Sequence, residues 1–118
     1  MPIPDYLTLA RLVVDAAADK KAENVLLLDL RDLSMVADFF VICSGNSDRQ
    51  LRAIAGSIDD VMSKEYQISP HHVEGTDSGG WVLMDYGDVI VHIFAPSQRA
   101  YYNLEGLWAM APVLLKMQ

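Results

Sequence analysis

Trp81-Val82-Leu83-Met84-Asp85-Tyr86-Gly87-Asp88-Val89-Ile90-Val91-His92-Ile93-Phe94 is the stretch from which the rest of the chain is read. Two runs rich in β-branched and aromatic residues flank Gly87-Asp88, and a glycine there accepts the positive φ that a tight hairpin turn requires. The stretch therefore predicts two strands with no helical crossover between them. Upstream, apolar runs at 25–30 and 38–43 are too short for helices and predict a second neighbouring pair, joined by a turn-like segment at 31–37 that carries Asp32 and Ser34. Two successive strands without a crossover, occurring twice, imply a mixed sheet covered by helices, not a doubly wound parallel one.

Helical spacing supplies the cover. Tyr6, Leu9, Ala10, Val13, Ala16 and Ala17 form an apolar stripe, predicting a helix over about 5–22. Leu51, Ile54, Ala55, Ile58, Val61 and Met62 form a second stripe after Ser44-Gly45, with Asn46 or Ser47 as the cap. Residues 67–80 hold Pro70, two histidines and Gly79-Gly80, and read as a loop enclosing at most one short strand near Val73. Pro96-Ser97 begins a third helix, with Ser97 as its cap and Tyr101, Leu104, Leu107 and Trp108 as its inner stripe. Beyond it, 109–118 is a tail with Met110, Val113, Leu114 and Met117, in which Pro112 discourages continuation of that helix. The order is α-β-β-α-(β)-β-β-α. It places the chain in the α/β (α+β) class, with the tail packing on its own domain or on a second copy.

At 118 residues the chain fits one domain, and no linker or repeat divides it. Its 52% apolar and 21% charged residues suit a compact protein, and no run approaches the length of a membrane span. Met1-Pro2-Ile3-Pro4-Asp5 resembles neither an export signal nor a transit peptide. A lone cysteine, Cys43, points to a reducing compartment, so a cytoplasmic location is expected. A net charge of −7 disfavours direct nucleic-acid binding. No Lys or Arg lies between Lys64 and Arg99, whereas Glu74, Asp77, Asp85 and Asp88 do. This acidic stretch is either a solvated surface or a field that steers a basic protein surface.

Catalytic chemistry finds little to work with. Cys43 sits within Phe39-Phe40-Val41-Ile42-Cys43, where a small core residue is expected. The adjacent His71 and His72 point to opposite sides of an extended chain, which is poor metal geometry. His92 alternates with Ile90 and Phe94 and reads as a hydrogen-bonded core or interface histidine. Asp85 and Asp88, with Asp29 near another strand end, would bind magnesium if they converged, and Ser44-Gly45 before a helix would receive a phosphate. A diverged magnesium-dependent nucleotidyltransferase using Asp85, Asp88 and the turn at Ser44-Gly45 is thus the enzymatic alternative, although no Lys or Arg flanks Asp85 and Asp88 to neutralise a triphosphate. The third reading is a structural dimerisation module built on the tail. Trp81 and Tyr86, set among acids, either cap the core or anchor a partner.

The hairpin resembles the signature of the ribosomal silencing factor, or Iojap-like, family. Asp29-Leu30 with Leu33-Ser34, Ala37-Asp38-Phe39-Phe40-Val41-Ile42-Cys43-Ser44-Gly45-Asn46-Ser47, Val73-Glu74-Gly75, and Tyr101-Tyr102-Asn103-Leu104-Glu105 near Leu107-Trp108 match in order. The likeness covers about 5–108 of a single 1–118 domain and leaves 109–118 as a variable tail. It implies a nucleotidyltransferase-like fold without the catalytic acids, and a binding protein that needs no metal or cofactor. The implied partner is a large-subunit ribosomal protein of the L-fourteen family on the 50S subunit. Binding there would block small-subunit joining and repress translation, and the free protein would be a homodimer. Carried over by position, the implied partner-facing residues are Trp81, Met84, Asp85, Tyr86 and Asp88.

Overall fold

A computed structural model describes residues 5–76 and 78–118. Met1–Pro4, read above for targeting signals, and Asp77 of the acidic stretch lie outside the described residues.

Helix α1 (Tyr6–Asp19) starts where the Asp5 carboxylate accepts the Thr8 N–H at 2.8 Å, which satisfies one of the first-turn donors. Its buried stripe is Leu9, Ala10, Val13, Val14, Ala16 and Ala17. Strands β1 (Glu23–Asp29) and β2 (Phe39–Ser44) follow as an antiparallel pair. Helix α2 (Asp48–Tyr66) is capped by Ser47, whose hydroxyl accepts the Gln50 N–H at 3.1 Å. It buries Leu51, Ile54, Ile58 and Met62, and Ser57 donates its hydroxyl to the Ala16 carbonyl at 2.9 Å, tying α2 to α1.

Within the predicted loop lies β3 (His72–Thr76), an outer strand. It pairs with β4 (Trp81–Asp85), which turns into β5 (Val89–Phe94). Gly87 takes φ 91° in that turn, and the Tyr86 N–H donates to the Val89 carbonyl at 2.9 Å, closing the hairpin the sequence predicts. β5 then pairs in parallel with β2, which makes the sheet mixed. The full order is β3-β4-β5-β2-β1-β6.

The sheet has two unequal faces. Val25, Leu27, Phe39, Val41, Cys43, Val82, Met84, Tyr86, Val89, Val91 and Ile93 pack beneath α1 and α2 as the main core. On the other face Leu28, Leu30, Ile42, Phe94 and Ala111 form a smaller core, joined by the half-buried Leu26, Phe40, Trp81, Leu104 and Trp108.

Two expectations for the carboxyl-terminal region need correction. The third helix is broken: α3 (Pro96–Tyr102) ends at Asn103 in the left-handed conformation, and α4 (Leu104–Leu107) restarts from it, with the Asn103 side chain accepting the Gly106 N–H. The change of direction turns Leu104 and Trp108 inward but leaves Tyr101 79% and Leu107 74% exposed, so those two do not belong to an inner stripe. Ser97 is not the cap either; Ala95 holds that position, without a side-chain bond, and Pro96 takes the first turn. The tail packs on its own domain, one of the two alternatives left open by its sequence. Residues Val113–Met117 form β6, antiparallel to β1 with Val25 opposite Met117 and Leu27 opposite Leu115.

Candidate partner-binding site

Alternation along β4 and into the turn separates four of the five hairpin residues singled out in the sequence. Trp81 and Asp85 point to the smaller-core side of the sheet, whereas Val82, Met84 and Tyr86 point into the main core. Met84 and Tyr86 are therefore packed against the helices and not presented to a partner, contrary to the positional carry-over. Tyr86 is only 4% exposed, and its hydroxyl has no partner among the described residues. Burial, then the nearby Asp59 charge, pushes that phenol well above its ordinary range, so it stays protonated.

Asp85 and Asp88 both sit, half-buried, at the hairpin end. The Asp85 carboxylate accepts the Gly87 N–H at 2.7 Å and so stiffens the turn. The Asp88 carbonyl accepts the N–H groups of Asp38 and Phe39, both at 2.9 Å, fastening the start of β2 to the turn. The negative charge of the Asp88 carboxylate is the main cause that raises the Tyr6 phenol. Asp29 is drawn aside by Arg31, whose guanidinium meets it at 2.7 and 3.0 Å; those side-chain bonds lower the Asp29 carboxyl. These acids are engaged separately. Among the described residues no group of three or more His, Cys, Asp or Glu side chains converges as a metal site.

The Ser44-Gly45 turn is also engaged from within. Ser44 accepts from Arg99 at 2.9 Å, Gly45 donates to the Phe94 carbonyl at 3.0 Å, and Asn46 donates its backbone N–H to Gln50 at 2.7 Å. Glu23 accepts from the Asn46 side chain at 2.9 Å, adding negative charge where a phosphate would sit. Burial pushes the Cys43 thiol up to about 12, so it carries no thiolate at neutral pH.

What the fold does assemble is an aromatic surface around Trp81. The indole is half-buried, stacked on Phe94 with centroids 5.1 Å apart, and 4.5 Å from Tyr102. Its N–H donates to His92 Nδ1 at 3.2 Å. His92 meets Phe40 edge to face at 4.7 Å, Phe40 meets Trp108 at 5.8 Å, and Tyr101 flanks Tyr102 at 5.1 Å. The ledge thus runs from β4 across β5 and β2 to α3 and α4. Arg99 braces its far side, pairing with Glu105 at 3.0 Å and reaching Ser44. Sequence reasoning assigned His92 to core or interface but did not connect it to Trp81. It also missed Tyr102 as a neighbour of the indole and Phe40 as a neighbour of His92. The detectable signal was the two-residue period of β2 and β5, which places Phe40, His92 and Phe94 on one face; the turn at Asn103 that brings in Tyr102 had no comparable signal.

Residues 4–118 match the family model described as ribosomal silencing factor during starvation, RsfS, so the match includes the tail that the sequence resemblance left out. A ribosomal silencing factor RsfS of Halalkalibacterium halodurans is 48% identical over 106 residues, covering 90% of each chain. One of Bacillus subtilis is 47% identical over 106 residues, covering 90% of this chain and 89% of its own. The crystal structure of a Chromobacterium violaceum protein matches with a TM-score of 0.83 at 35% identity, over 90% of this chain and 88% of that one. With the family model matched along almost the entire sequence and close relatives sharing nearly half its residues, this chain belongs to the ribosomal silencing factor (RsfS) family.

Proposed function

We propose that this chain silences translation by binding the large ribosomal subunit through its L-fourteen-type protein and sterically blocking the small subunit from joining. The observation that carries the reading is the RsfS match over residues 4–118. Trp81 is the contact residue on the aromatic side, and Asp85 and Asp88 at the hairpin end answer basic side chains of the partner. Both acids and the indole are partly exposed, which suits this role. Met84 and Tyr86 act from beneath, by holding β4 against the helices. No covalent step is needed, because an interface of about 800 Å² per partner suffices for tight binding, and a bound domain occludes the joining face. The protein works in the cytoplasm, without direct nucleic-acid contact. When free it pairs with a second copy, for which the exposed Val113, Leu114 and Met117 on the outer strand β6 provide the edge.

Sedimentation of a lysate carrying tagged protein tests this: it should travel with isolated large subunits and be absent from joined ribosomes. Co-migration with neither fraction would refute the reading. Trp81→Ala should weaken large-subunit binding by about 2 kcal/mol, the scale of an aromatic hot spot. Unchanged binding by the folded variant would remove Trp81 from the contact.

A further inference from the structure

The polar pair beneath the aromatic ledge has a chemical direction. An indole N–H only donates, so the 3.2 Å bond from Trp81 makes His92 Nδ1 the acceptor. The neutral imidazole must then carry its hydrogen on Nε2, and that atom is buried without a partner among the described residues. His92 is itself a buried residue on the central strand β5, between the apolar Ile90 and Phe94 on the same face. An aliphatic or phenyl side chain would fill that position without leaving a donor unsatisfied, which ordinarily costs about 1–3 kcal/mol. What imidazole supplies, and Leu or Phe would not, is the acceptor for the indole. Register reinforces the geometry: Trp81 lies opposite Phe94 on the β4–β5 ladder, two positions from His92, so the indole reaches diagonally over β5. The ring is thereby held flat, stacked on both Phe94 and His92.

We propose that His92 is the positioning residue for the Trp81 contact, its Nδ1 fixing the indole in the orientation that the large-subunit partner meets. The inference rests on the reading of Trp81 as a partner contact. Without the acceptor, the indole keeps its apolar neighbours but loses the one bond that selects its orientation, and part of the binding free energy is then spent in ordering it.

Two variants separate positioning from filling. His92→Leu removes the acceptor, whereas His92→Asn places its Oδ1 near the position of Nδ1 and restores it. The Trp81 indole N–H resonance of the free protein, assigned by its loss in Trp81→Phe, reports the bond without reference to the ribosome. Sedimentation with purified large subunits reports binding. His92→Leu should shift the indole resonance away from its hydrogen-bonded position and weaken binding by up to about tenfold, because the freed indole must be ordered again on docking at a cost of up to about 1.4 kcal/mol. His92→Asn should recover both readouts. His92→Phe, which keeps an aromatic ring but has no acceptor, repeats the test should leucine loosen the core, and it should behave as His92→Leu does. If Trp81→Ala weakens binding but His92→Leu and His92→Phe bind as the wild type does, the positioning role is overturned and the docking reading survives. If Trp81→Ala also binds normally, both fall.

Discussion

Tyr86 and His92 each bury a polar atom with no partner among the described residues, on opposite faces of the same sheet, and the two make different predictions. The Tyr86 hydroxyl holds nothing in place, so Tyr86→Phe removes only an unsatisfied group. Urea unfolding should show the variant unchanged or more stable by up to about 1 kcal/mol, with large-subunit binding intact. A loss of binding in Tyr86→Phe would return that residue to the contact surface. For His92 the consequence is a pH dependence. Burial pulls its imidazole down to about 4 from an ordinary value of 6.5. Between those values the unfolded chain takes up a proton that the folded chain refuses, so stability falls as pH drops from 6.5 toward 4 and this contribution levels off below. The loss should reach about 2 kcal/mol by pH 4.5. Urea titrations of the wild type and His92→Leu at pH 7 and 4.5 isolate it from the carboxylates, because only the wild type carries this term. Equal pH sensitivity in the two proteins would show that His92 accepts a proton while folded. The direction of the His92 ring, unlike its place on the strand, was not legible in the sequence, because the bond to Trp81 depends on a diagonal reach between strands.

Elements whose signal is local were legible, and those that depend on distant partners were not. The hairpin of β4 and β5 was marked by Gly87-Asp88, and α2 by its apolar stripe and its Ser47 cap. By contrast, Val113–Met117 offers neither clean alternation nor a hairpin turn, and becomes a strand because β1 leaves an edge open some 90 positions earlier, with Val25 opposite Met117. Likewise nothing short of the left-handed turn at Asn103, φ 47°, announces that α3 stops and Tyr101 faces outward. The outer strand β3 depends on another backbone exception. Gly75 lies at φ 81°, and a Cβ there would stand 2.0 Å from the Trp81 carbonyl oxygen. Gly75→Ala combines a strained backbone with a clash that no side chain can relieve, so the β3–β4 ladder should separate. Hydrogen exchange should then lose protection at the amides of 72–76 while those of β2 and β5 keep theirs. Retained protection across β3 would show that the strand adjusts without leaving β4. Because the displaced atom belongs to Trp81, the same variant should also perturb the indole.

At the scale of the whole molecule, the hairpin end and the outer edge of β6 differ in chemistry, and this allows two kinds of association to be told apart. The chain carries a net charge of −7, with Asp85 and Asp88 at the hairpin end. The outer edge of β6 instead exposes Val113, Leu114 and Met117, with Lys116 its single charged side chain. An encounter between the acidic surface and a basic ribosomal protein is accelerated by the long-range field, and that field is screened within about 10 Å at 0.1 M salt. Pairing of two copies through β6 would instead bury apolar side chains and backbone donors, between bodies of like charge that repel each other. Raising salt should therefore slow association with large subunits by about tenfold or more between 0.05 and 0.5 M, while dissociation changes little. Self-association should hold or strengthen over the same range, since screening relieves the repulsion between copies. Stopped-flow association with purified large subunits, alongside sedimentation equilibrium of the free protein, measures both trends on one preparation. An on-rate indifferent to salt would mean that the acids of the hairpin do not steer the partner, leaving Trp81 and its aromatic neighbours to carry recognition without them.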